Sequence, residues 1–158
     1  MLTAIPDDFI YFGLFLTDKS KEELMKVAND MAPKQMAEST NVYLEHITLL
    51  HKNDKHSDAI KLRMYDLLNH MFESFIGETY EVAVTDIGFN QSAMAFKVEL
   101  PDGFPMFLYK TYHITIATFH RARPVESNNI INWHPLYEPI GVTTILKKVI
   151  RDENNLSS

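Results

Sequence analysis

Between Phe9 and Leu16 the chain reads FIYFGLFL, an aromatic and aliphatic run of strand length that predicts a buried strand. In the polar stretch that follows, Ser20 and Glu23 have capping-box spacing. Leu24, Val27, Ala28 and Met31 then recur at helical intervals until Pro33, which stops the helix near residue 32. A second apolar run, about residues 42 to 50, predicts another strand. Ser57 caps a longer helix with an apolar stripe of Ile60, Met64, Leu67, Leu68, Met71 and Phe75, and Gly77 is placed to end it. Strict alternation resumes over residues 80–89, where Tyr80, Val82 and Val84 oppose Glu81, Ala83 and Thr85. Asn90-Gln91-Ser92 turns the chain into a hairpin partner over 93–100, and Pro101, Gly103 and Pro105 mark a loop. A strand over about residues 109 to 118, a polar loop with Pro124, and a β-rich segment over 142–150 complete the pattern.

That order predicts an α+β fold with helices outside a mostly antiparallel sheet. No linker composition divides it, so residues 1–150 read as a single domain and 151–158 as a flexible tail.

Two of the strands carry the same interruption. His46-Ile47-Thr48-Leu49 and His113-Ile114-Thr115-Ile116 each set a histidine and a threonine two residues apart in an apolar run. Side chains two apart on a strand share a face, so each motif presents one imidazole and one hydroxyl while its aliphatic residues turn into a core. Two such strands facing each other across a cleft would surround one phosphorus with two proton-transfer groups and two neutral donors. Histidine titrates near ~6.5 and can serve as base or acid at neutral pH. Threonine hydroxyls suit the non-bridging oxygens of a phosphate and the charge that builds there. Phosphodiester cleavage without a metal fits these four groups. A lone His-x-Thr is more often structural; the duplication is what argues for catalysis. A zinc site fits less well, because cysteine is absent, no His-Glu-x-x-His spacing occurs, and threonine is a poor zinc ligand.

Charge narrows the partners. Fifteen Lys and Arg against 21 Asp and Glu leave a formal net charge of −6, the wrong sign for a broad footprint on long nucleic acid. A substrate of a few nucleotides, an RNA terminus or a small cyclic nucleotide, suits this balance. No stretch approaches the ~20 apolar residues of a membrane span and no secretory signal is visible, so no membrane partner is expected. The lack of cysteine fits a reducing cytoplasm.

At the two motifs the chain resembles the two-histidine (2H) phosphoesterase superfamily, which implies a bilobal α+β fold with two mostly antiparallel sheets facing a central groove. Val84-Thr85-Asp86-Ile87-Gly88-Phe89-Asn90, Ala93 to Leu100, Pro124-Val125-Glu126-Ser127-Asn128 and the His51-Lys52 pair are similar to the cyclic phosphodiesterase domain of fungal and plant tRNA ligases. The likeness runs over about residues 9–150. It implies opening of a 2′,3′-cyclic phosphate at an RNA end with no metal or other cofactor, and His46, Thr48, His113 and Thr115 as the catalytic residues. Which histidine is acid and which base is left open by the sequence. The ligase and kinase portions of a tRNA ligase are missing here, and no Gly-rich Lys-Ser/Thr loop occurs. Two alternatives stand beside the RNA-end reading: a phage-type enzyme destroying cyclic nucleotide defence signals, acting in the host cytoplasm, and a non-catalytic module that sequesters a nucleotide.

Lys52 is a candidate for charge at a phosphate, and Tyr112 and Trp133 are candidates to stack on a base, an interaction worth roughly 1–3 kcal/mol in single-strand binders. Tyr43 is a further aromatic that could stack on a base, Tyr11 reads better as packing, and His51 faces away from His46 if the strand continues.

Overall fold

In the computed structural model, which describes residues 3–106 and 111–151, the first apolar run is β1 (Phe9–Leu16). Helix α1 (Asp18–Met31) begins a turn earlier than the Ser20-Glu23 spacing predicts, because Thr17 takes the cap and its Oγ1 accepts the Ser20 N–H at 3.3 Å. Ser20 is instead buried, and its Oγ accepts the backbone N–H of Thr143 at 2.9 Å, tying α1 to the far end of the sheet. Pro33 ends α1 and opens a short helix, α2 (Pro33–Glu38), that hydrophobic periodicity does not reveal. A first helical position needs no N–H, so the same residue can do both.

The next strand is split in two, β2 (Asn41–Val42) and β3 (His46–His51). Helix α3 (Asp58–Ser74) starts as predicted, with Ser57 Oγ accepting the Ile60 N–H at 3.3 Å. It buries Met64, Tyr65 and Leu68, while Ile60 and Leu67 are about half exposed, so the stripe is narrower than the sequence pattern and turned toward Tyr65. Gly77 follows at φ +83°, a conformation that favours glycine. Strands β4 (Thr79–Phe89) and β5 (Ala93–Glu99) form the expected hairpin, with Asn90 Oδ1 accepting the N–H groups of Ser92 and Ala93 at 2.8 Å each. Strand β6 (Tyr112–Thr118) carries the second motif; the expected start near Tyr109 lies outside the described residues, as does the tail from 152 onward. A short 3-10 helix (Pro124–Asn129) precedes β7 (Trp133–Ile150). β7 is far longer than the predicted 142–150. Its register with β4 breaks between the Val84–Ile140 and Asp86–Pro135 pairs, with Pro139 inside the break and Pro135 at its edge, and a proline is tolerated there.

The seven strands hydrogen-bond in the order β2-β6-β3-β1-β7-β4-β5, and β5 pairs again with β6. Six antiparallel strands thus close into a barrel, with β2 as an extra strand beside β6. The α+β class is as expected, and the strands are linked by hydrogen bonds into one closed sheet in which β3 and β6 pair at Ile47 and Ile114. The two motif strands are neighbours in it. One face of the sheet packs on the helices: Phe12 meets Tyr65 and Phe72 of α3, and Lys148 Nζ donates to Asn69 Oδ1 at 2.8 Å. Leu14, Ile47, Leu49, Phe96, Ile114 and Ile116 are completely buried in this core. Replacing one such isoleucine or leucine by alanine costs about 2–5 kcal/mol. The alternate residues of the same strands form the other face. No helix among the described residues is long and apolar enough to cross a membrane.

Candidate active site

Antiparallel pairing of β3 with β6 sets Ile47 opposite Ile114. Strand alternation on either side of this pair puts His46, Thr48, His113 and Thr115 on the face away from the core. Both motifs therefore present their imidazole and hydroxyl on the same face, at the one point where β3 and β6 pair. All four side chains are half-buried. The approach to this register is unusual. β2 pairs with β6 as Asn41–Thr118 and Val42–Ala117, so the chain gains two residues before Ile47, and Leu44 within that bulge adopts φ +50° although fully buried. A bulky residue in the left-handed region costs of order 1–3 kcal/mol, and here the strained turn lies two residues before His46.

The two sides of this quartet differ. Toward β1, the strand pairing sets Gly13 opposite Thr48 and Phe15 opposite His46. The His46 ring packs nearly parallel to Tyr11 (centroids 5.0 Å, 26°) and to Phe15 (4.9 Å, 27°). Tyr11 and Phe15 approach each other to 6.2 Å by leaning over Gly13, where a Cβ would lie 3.2 Å from each ring and 3.1 Å from the Ile47 carbonyl oxygen. His46 Nδ1 is buried without a hydrogen-bond partner. Burial holds the imidazole below its ordinary value of 6.5, opposed in part by the neighbouring Glu45 carboxylate. The same two influences, burial first, push the Tyr11 hydroxyl up. Toward β5 the neighbours are small or polar: Lys97 pairs with His113 and Ala95 with Thr115. Thr115 Oγ1 lies 3.0 Å from Ser127 Oγ, which the 3-10 helix presents fully buried.

Residues 14–158 match the family described as the fungal tRNA ligase phosphodiesterase domain. This chain belongs to that family. Membership makes it a 2H-type phosphodiesterase domain, in agreement with the likeness of the hairpin and motif segments. The structure titled as that of a fungal RNA kinase shares its fold, with a TM-score of 0.65 at 14% identity over 94% of this chain. The match covers 46% of that kinase chain, so the present chain spans about half of its length. No curated protein matches.

Within this phosphodiesterase domain, the three residues suggested as substrate contacts fall in different places. Tyr112 is only 5% exposed and, one residue before His113, points to the core face; strand alternation rules it out as a stacking surface. Lys52 is exposed beyond the end of β3, where its carbonyl accepts Lys61 Nζ at 2.9 Å and it lines a separate hollow with Ile5, Phe9 and Asp58. Trp133 shares the quartet's face, three strands away: it pairs with Gly88, Gly88 with Ala95, and Ala95 with Thr115. Its ring occupies the space over Gly88, where a Cβ would sit 2.7 Å from it. Residues the sequence pattern did not single out are Phe15, Ser127, Lys97 and Lys147. Lys97 was visible as the only charged residue on its face of AMAFKV before Glu99; for Ser127 no spacing rule applies, since its partner lies on another element.

Proposed function

We propose that the domain hydrolyses a 2′,3′-cyclic phosphate or a related phosphodiester without a metal, through His46, Thr48, His113 and Thr115. The Ile47–Ile114 pairing of β3 with β6 carries this reading: with alternation along both strands it supports two imidazoles and two hydroxyls on one face. The surroundings also divide the labour. His46, buried against two rings and disfavouring the charged form, is the base. It takes a proton from water, whose oxygen attacks phosphorus. His113, on the polar side, gives a proton to the departing ribose oxygen, so the diester becomes a monoester. The threonine hydroxyls hold the non-bridging oxygens as charge builds on them.

An RNA end is the favoured substrate class, supported by the tRNA ligase family and by the RNA kinase that shares the fold. The test is a panel of 2′,3′-cyclic mononucleotides, cyclic-phosphate-ended RNA, 2′–5′ oligoadenylate and cyclic di- and trinucleotides, with products resolved by chromatography in the presence of EDTA. Cleavage of the cyclic-phosphate esters with EDTA present supports the reading. Strict dependence on added metal, or tight binding with no product after long incubation, overturns it.

A further inference from the structure

A single row of residues crosses the quartet's face from β5 to β7. Lys97 pairs with His113, β6 meets β3 at the adjoining Ile114–Ile47 pair, Thr48 pairs with Gly13, and Gly13 pairs with Lys147. Directly opposite residues of neighbouring strands project from the same face, so both lysines share the face of the catalytic groups. With strands about 4.8 Å apart, Lys97 starts one strand from His113 and Lys147 about two strands from Thr48. Gly13 opens the row between Thr48 and Lys147, and the rings of Tyr11 and Phe15 cover it. Lys147 Nζ stands 5.2 Å from the Phe15 ring centroid, and Phe15 packs on His46, so the cation is held by the same aromatic group that buries the histidine. Its neighbour Lys148 turns to the opposite face and is engaged with Asn69 and Phe72. On the other side Asp86 of β4 pairs with Lys97, offering it a carboxylate across the strand. Lys97 is thus a half-buried cation one strand from His113, and Lys147 an exposed one at the far end of an aromatic floor.

We propose that Lys97 and Lys147 are subsites for phosphate groups other than the one being cleaved, one on each side of the quartet. This rests on the phosphodiesterase reading and adds a substrate requirement to it: the favoured ester carries a further phosphate. Neutral donors serve the reacting phosphorus, while point charges at a distance anchor its neighbours. A terminal nucleotide within an RNA chain and a free nucleotide with a 5′-phosphate share that chemistry.

Three esters separate the possibilities: a nucleoside 2′,3′-cyclic phosphate with a free 5′-hydroxyl, the same compound with a 5′-phosphate, and a dinucleotide ending in the cyclic phosphate. The readout is the ratio of kcat/KM for each phosphate-bearing ester to that for the 5′-hydroxyl ester, measured for the unmodified chain, Lys97→Gln, Lys147→Gln and the double variant, with folding checked by circular dichroism. We expect the unmodified chain to favour phosphate-bearing esters about tenfold or more, each single variant to lower the ratio roughly five- to tenfold, and the double variant to bring it close to one. The salt dependence of kcat/KM for the dinucleotide should lose a slope of about 0.7 to 1 with each lysine removed. Equal gains from the 5′-phosphate and the dinucleotide point to phosphate alone; a larger gain from the dinucleotide points to an RNA chain. Cleavage of all three esters at similar rates, or ratios unchanged by the variants, overturns the subsites and leaves the phosphodiesterase reading standing. Cleavage of none overturns both.

Discussion

Two nearly identical tetrapeptides occupy adjacent strands, yet their surroundings are opposites. His46-Ile47-Thr48-Leu49 is bordered by β1, which contributes Tyr11, Gly13 and Phe15 and encloses the imidazole among rings. His113-Ile114-Thr115-Ile116 is bordered by β5 and the 3-10 helix, which contribute Lys97, Ala95 and Ser127. The local motif supplies the same groups twice; the neighbouring strand decides how each behaves. A desolvated imidazole favours its neutral form and suits a base.

The largest test of that contrast is removal of each histidine. His46→Ala and His113→Ala should each lower kcat by about 10²–10⁴-fold, the range for losing a general base or acid. The two variants should differ in pH profile: residual activity loses its acidic limb in the first and its alkaline limb in the second. Loss of the same limb in both would erase the division of roles.

Gly13→Ala attacks the aromatic side alone. Its Cβ must displace Tyr11 and Phe15 or press on the Ile47 carbonyl oxygen, so we expect a loss of about 1–3 kcal/mol in denaturant unfolding, typical of overpacking, together with a lower kcat. An unchanged midpoint would mean that the rings are not braced as described. Ser127→Ala attacks the polar side alone. Losing one neutral hydrogen bond to Thr115 should reduce kcat roughly three- to tenfold with little change in KM, and Ser127→Thr should restore part of it.

The smallest effects are in pH dependence. Tyr11→Leu reduces the ring packing around His46, so its pKa should rise toward 6.5 and the acidic limb of the kcat profile should move to higher pH. The same burial has a consequence for stability. Because His46 is depressed in the folded state, the unfolded chain binds more protons below about pH 6.5, and folding stability should decline as pH falls from there through the folded value. Urea midpoints measured across that window should show a shallower decline in His46→Gln; an identical decline would place the coupling elsewhere.

Much of the fold could be read before any coordinates, for definite reasons. Alternation in 80–89, the Asn90-Gln91-Ser92 turn and the Ser57 cap are local features, and all three appear as expected. Local reading failed where a competing local option or a distant partner won. Thr17 displaced Ser20 as the cap because Ser20 is drawn to a backbone N–H on β7. β7 extends through two prolines because Pro139 falls inside the register break with β4 and Pro135 at its edge. Tyr112 looked like a ligand contact beside His113, yet the alternation that exposes one residue buries the next.

The sequence by itself determined that two strands would each offer an imidazole and a hydroxyl on one face, since the two-residue period belongs to the extended backbone. Tertiary structure alone decided that those strands lie side by side and antiparallel, paired at Ile47 and Ile114, and that rings border one motif while lysine and serine border the other. Strand order and register depend on hydrogen bonds between segments far apart in the chain, and no local period encodes them.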